Sequence, residues 1–318
     1  MTMGRAFAAA CTVTMITALT AFTAAGCANS VGGGSGAAQP EQDSALRSLK
    51  GQDRDLTDAE EVLVEHAESM LVKKCMEGKG FRYWVGPMAS VAERQGNGYV
   101  LDDVSWARTY GFGGELEKKA ERARLAEPNA AYANALPEAD RIRYSKTLDG
   151  DLSKGELSVD LPAGGTVSTT STGCLAEAKG KLYGDTATWF RVNKITTGLT
   201  PLYVPDLVKD QRLVKAVTAW SRCMLEAGHP YASPDEIREE RHALTQGMSA
   251  ARAHTTEVEL AVAEATCAVK TSLGKTARAL EREYRATKLQ PYSADMATYQ
   301  RMRLAALARA KNITDSEA

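Results

Sequence analysis

Few residues in this chain are spaced for chemistry. Ser272-Leu273-Gly274-Lys275 has the S-x-x-K spacing of penicillin-interacting serine enzymes, where a lysine one helical turn away serves the nucleophile. That chemistry also needs S-D-N and K-T-G elements, and neither occurs, so the tetrad reads as a solvated helix face. Glu239-x-x-His242 is half of a di-iron carboxylate signature, which requires a second such pair and two further glutamates on other helices. The other histidines, His66, His229 and His254, supply no second pair. There is no GxSxG elbow, Walker A loop or HExxH motif. Tyr110-Gly-Phe-Gly-Gly114 lacks the spacing of a phosphate loop and reads as a flexible hinge between helices. The expectation is a protein with no catalytic set, no metal and no cofactor.

The cysteines are more informative. Six are present: Cys11, Cys27, Cys75, Cys174, Cys223 and Cys267. Residues 1–26 read as a signal peptide, with Arg5 as a short positive n-region before a long uncharged apolar stretch. It ends in Ala24-Ala25-Gly26-Cys27, which resembles a bacterial lipobox, with Ala24 where such sequences usually carry Leu. Cleavage ahead of Cys27 would leave that residue to carry acyl lipid, palmitate among the candidates. Ordinary secretion and a retained anchor are the competing readings. Residues 27–45 are rich in Gly, Ser, Ala and polar side chains and suit a lipid-anchored flexible tether. Export permits disulfides, and four cysteines remain beyond the tether. No CxxC pair or close Cys/His cluster argues for zinc.

These residues must be positioned by helices. Of 318 residues 44% are hydrophobic and 25% charged, with a formal net charge of −1, so no basic footprint suggests nucleic acid. Thr57-Asp-Ala-Glu60 reads as a capping box opening a helix whose buried stripe ends at Cys75, with Gly78 and Gly80 as stop signals. Asp102 is expected to open a short helix, and Glu115–Leu125 a charged one. Leu157, Val159 and Leu161 alternate before a Pro/Gly turn and a Thr/Val run, the one good hairpin candidate. Further helices are expected from Cys174 towards Phe190, over 207–227, from the Ser233-Pro-Asp-Glu236 box, over 256–288 without a break, and over 294–310. The fold class is mostly α: helical modules with one small β-hairpin, stapled by disulfides. Residues 46–200 form the first module, with an irregular insertion and the hairpin, and 201–318 form the second.

Two stretches repeat. Cys75-Met-Glu-Gly-Lys-Gly-Phe-Arg-Tyr83 and Cys223-Met-Leu-Glu-Ala-Gly-His-Pro-Tyr231 share Cys, Met, the sixth-place Gly and the ninth-place Tyr. A later cysteine follows in each half. Four cysteines allow three pairings, and an internal repeat selects Cys75–Cys174 and Cys223–Cys267, one staple per module. The Cys-Met-x3-Gly-Phe-x-Tyr stretch resembles uncharacterised lipoproteins of high-GC actinobacteria. The resemblance implies an envelope lipoprotein and carries no activity with it.

Phe81, Tyr83, Trp84, Trp106, Tyr110 and Phe112 form the remaining candidate set, either a core or a binding groove. The functional expectation is a non-enzymatic binding or structural module on the outer face of the cytoplasmic membrane. Its partners would be membrane lipid through the anchor and an envelope protein, peptide or glycan. The alternatives are a cell-envelope hydrolase with its site in 88–154, drawing on Asp102, Asp103 and Glu115 together with Asp185, or a solute-capture lipoprotein of a transporter.

Overall fold

Helix α1 (Asp58–Gly78) starts at the predicted capping box: Thr57 accepts from the Glu60 backbone N–H, and the Glu60 carboxylate accepts from Thr57. The computed structural model describes residues 54–95 and 98–316. The signal peptide 1–26, the lipidation residue Cys27 and the tether 27–45 lie outside the described residues.

After α1 the chain runs extended through Trp84 to α2 (Val91–Arg94), then through α3 (Val104–Tyr110), α4 (Gly114–Leu125), α5 (Pro128–Ala135) and α6 (Glu138–Leu148). Strands β1 (Glu156–Asp160) and β2 (Thr166–Thr170) pair antiparallel, with Leu157 opposite Thr169 and Val159 opposite Val167, as the alternation predicts. The helix expected from Cys174 to Phe190 is two helices, α7 (Cys174–Tyr183) and α8 (Thr186–Thr197). Gly184 at φ +93 ends α7, and the Asp185 carboxylate caps α8 by accepting from the Thr188 N–H.

The second half is nearly all helix: α9 (Val204–Leu207), α10 (Gln211–Glu226), α11 (Pro234–Leu244), α12 (Ala250–Lys270), α13 (Leu273–Lys288) and α14 (Ser293–Asp315). The unbroken helix expected over 256–288 is interrupted. Ser272 takes a left-handed backbone, φ 57, and turns the chain so that Leu273, Ala277 and Leu280 of α13 enter the core beside α10. Periodicity misses this break because the apolar residues keep helical spacing on both sides of it.

Both predicted disulfides are present. Cys75–Cys174 joins α1 to α7, and Cys223–Cys267 joins α10 to α12. The repeated stretch is one helix-ending motif used twice. Gly80 (φ 86) and Gly228 (φ 84) adopt the left-handed backbone. The Phe81 N–H then donates to the Met76 carbonyl at 3.0 Å, and the His229 N–H to the Met224 carbonyl at 2.8 Å. This pattern satisfies the last carbonyls of each helix and buries each methionine completely. The Cys-Met pairs therefore serve as helix end and clasp.

The halves are interleaved in space. The last helix, α14, packs along α1 and α7, and α3 from the first half packs along α12 from the second. The described residues all fall in one compact unit. Arg303 of α14 and Arg94 of α2 converge on the Glu61 carboxylate of α1, tying these elements with shared charge.

Candidate functional site

Two adjoining cavities open around α3 and α4. A cavity of about 470 Å³ is walled by the extended run Gly86–Ala89, by Trp106 of α3, by Phe112 and by the face of α4 carrying Leu116, Ala120 and Ala123. Glu93, Lys119, Arg124 and Glu127 line it with charge. A second cavity of about 290 Å³ shares Trp106, Phe112 and Glu117 and extends to Leu101, Arg238, Arg241 and Glu264. Apolar walls with a few convergent polar groups are what small-molecule sites offer.

Each wall has a local cause. The extended run is fastened through Trp84: its backbone N–H and C=O both bond the Asn129 side-chain amide of α5, each at 2.8 Å. Asp103, not the expected Asp102, caps α3 by accepting from the Ser105 and Trp106 N–H groups. Those bonds, from Trp106 first, hold its carboxyl below the usual range. The Trp106 indole donates to the Ala92 carbonyl at 3.2 Å, fixing the ring that divides the two cavities.

The Tyr110–Gly114 stretch is a close-packed turn and not the flexible hinge expected. Gly111 and Gly113 both have positive φ, and a Cβ at Gly111 would stand 2.9 Å from Cβ of Glu257 on α12. The Glu257 carboxylate accepts from the Gly114 N–H at 3.2 Å, placing a negative charge at the start of α4.

α11 closes the second cavity. Arg238 donates to the Gly98 and Tyr99 carbonyls and pairs with Asp235 at 2.5 Å. Arg241 pairs with Glu117 at 2.6 Å and donates to the Phe112 carbonyl. Between these straps lies Glu264 of α12, only 4% exposed. One of its carboxylate oxygens accepts from the Leu101 N–H at 3.0 Å. The other has no hydrogen-bond partner among the described residues. Burial, partly offset by the Leu101 bond and by Arg238, pushes its carboxyl up to about 7.

The six predicted aromatics separate into two groups. Trp106 and Phe112 line both cavities, with Tyr110 beside Trp106 at 5.3 Å between ring centroids. Phe81 is buried in the disulfide-bonded core of α1 and α7, edge-on to Tyr144 at 5.3 Å, and Tyr83 packs on the same cluster. Trp84 meets Tyr132 edge-on at 5.7 Å and carries the Arg82 guanidinium on its face. The four carboxylates considered for hydrolysis are held apart by structural duties. Asp102 pairs with Arg278 at 2.6 Å, Glu115 with Lys118 at 2.9 Å, and Asp103 and Asp185 are helix caps. Ser272 and Lys275 lie exposed at the α12–α13 turn, and Glu239 and His242 on the exposed face of α11. Among the described residues no group of three or more His, Cys, Asp or Glu is placed to hold a metal, and no helix is long and apolar enough to cross a membrane.

Glu264, Arg238 and Arg241 were not singled out from the sequence. One signal existed: Glu264 sits within the apolar stripe Leu260, Ala261, Ala265, Cys267 and Ala268, where a carboxylate is out of place. Comparison with protein-family models, with curated proteins and with solved structures yields no match to this chain.

Proposed function

We propose that this chain is a lipid-anchored binding module of the cell envelope, held at the outer face of the cytoplasmic membrane through Cys27, with the paired cavities at Trp106 as its binding site. The anchor rests on the signal-peptide pattern, the Ala-Ala-Gly-Cys27 junction and the tether composition. The resemblance to actinobacterial lipoproteins points the same way, and the disulfides agree with an oxidising compartment. The observation that carries the binding role is the apolar cavity of about 470 Å³ beside the smaller one ending on Glu264.

Two measurements test the two parts. Replacing Cys27 by Ser should move the protein from the membrane fraction to the soluble fraction and abolish incorporation of labelled acyl chain; unchanged labelling would refute the anchor. For the site, the uncharged dye Nile red should brighten with the native chain and stay dim with Ala120→Trp, whose indole would occupy the cavity from an exposed position of α4. Equal brightening of both would refute the site.

A further inference from the structure

Glu264 differs from every other charged group lining its cavity, because those others are already neutralised. Arg238 is paired with Asp235, and Arg241 with Glu117. Glu264 has a single backbone donor and one carboxylate oxygen left without a hydrogen-bond partner among the described residues, at a position 96% removed from solvent. That oxygen is open to the cavity, where a donor carried by a ligand can reach it. Trp106 and Phe112 line the same cavity, and aromatic rings attract positive charge through their quadrupoles. An anionic head would instead face both Glu264 and Glu117, with no unpaired guanidinium to receive it.

From this geometry we infer that the cavity takes a small amine, whose ammonium head meets the Glu264 carboxylate while its apolar part lies against Trp106 and Phe112. This rests on the reading of these cavities as a binding site and adds the ligand's charge and shape. Glu264 supplies the acceptor oxygen, the indole and phenyl rings supply apolar contact, and the Arg241–Glu117 pair closes the neighbouring wall. Charge-assisted hydrogen bonding to a desolvated carboxylate makes the amine preferred over an isosteric alcohol. The charged groups facing Glu264 are Arg238, Asp235 and Arg241 from α11 and Glu117 from α4, and they cancel in pairs. The carboxyl that burial holds at about 7 would be drawn to its ionised form by the ligand, so binding of the amine releases a proton near neutral pH.

Three matched probes decide the matter on the unaltered full chain: phenethylamine, 2-phenylethanol and 3-phenylpropionate, titrated by calorimetry at pH 7 in two buffers of different ionisation enthalpy. The expected result is an amine affinity at least about tenfold above the alcohol, with proton release and no measurable carboxylate binding. Glu264→Gln should remove the preference and bring the amine down to about the affinity of the alcohol. Equal affinities for all three probes would overturn the amine inference and leave the binding site standing. Preference for the carboxylate would do the same. Binding of none of them, together with no Nile red response, would overturn both. Because the comparison among probes is made on the native chain, it stands whether or not the glutamine variant folds.

Discussion

The Trp220 indole N–H donates to the backbone carbonyl of Glu264 at 3.3 Å, and each of these residues lies one turn ahead of a partner in the Cys223–Cys267 disulfide. The staple thus sets the register of α10 against α12, and that register holds the Glu264 side chain at the cavity wall. Disulfide and candidate site are parts of one local structure.

Glu264 should leave a pH signature. Its folded value, about 7, lies above the ordinary 4.5, so between those values the folded chain keeps a proton that the unfolded chain has released. The stabilisation is complete below about pH 4.5 and falls as pH rises towards 7, by up to about 3 kcal/mol. Glu93 works in the opposite sense: the Ser90 N–H and then Lys119 hold it at about 2, so its contribution fades as pH drops from about 4.5 towards 2. Urea unfolding across pH should show greatest stability near about pH 4–5. Glu264→Gln should flatten the slope from about pH 5 to 7 and be the more stable form at pH 8. A slope unchanged by the substitution would contradict the assignment.

The α12–α13 turn carries strain at Ser272, whose φ of 57 costs a residue with a Cβ roughly 1 kcal/mol. Ser272→Gly should raise stability by about 0.5–1 kcal/mol, and Ser272→Val should lower it by about 1–2 kcal/mol. Denaturant midpoints of the two variants read this directly, and opposite signs are the required outcome.

Gly274 allows α13 to approach the 98–102 loop. A Cβ there would fall on the Asp102 carboxylate, which is held by Arg278 at 2.6 Å. Gly274→Ala should cost about 1–3 kcal/mol. It should also weaken amine binding, since the same loop presents the Leu101 N–H to Glu264. Stability and calorimetric affinity should fall together in this variant.

The two staples enclose spans of 99 and 44 residues. On the chain-entropy account each contributes about 4–5 kcal/mol, with the longer span worth slightly more. Cys75→Ala/Cys174→Ala and Cys223→Ala/Cys267→Ala should each lower unfolding free energy on that scale. Only the second pair should alter Trp220 fluorescence, because that indole lies beside the staple it removes.

How much of this is legible in the sequence differs by feature. The capping box at Thr57, the N-cap at Ser233 (whose Glu236 bonds the Ala232 N–H instead of closing the box), the 156–170 hairpin and the repeated Cys-Met-Gly clasp are local, so the side chains that define them lie within a few residues of each other. The disulfide pairing was readable because a repeat constrains it. What was hidden depends on distant partners. Ser272 breaks a helix only because α13 must fold back on α10, and Gly111 is close-packed only because Glu257 stands opposite. Likewise Phe81 and Trp106 look alike in sequence, yet one faces Tyr144 and the other a cavity. Glu264 was the exception, an overlooked charge in an apolar stripe.

The pairing of the last helix with the first has a temporal meaning. α14 supplies Ala306, Leu307 and Ala310 to the apolar cluster that receives Val64 and Ala67 of α1. As the chain is synthesised, the α1 face carrying Val64 and Ala67 waits for α14, whereas Val72 and Met76 can meet Tyr144 and Cys174 much earlier. An N-terminal fragment reaching α7 holds one complete apolar cluster, with Cys75 beside Cys174, and leaves the Val64–Ala67 face of α1 open. The seam between α1 and α14 is the part that closes last.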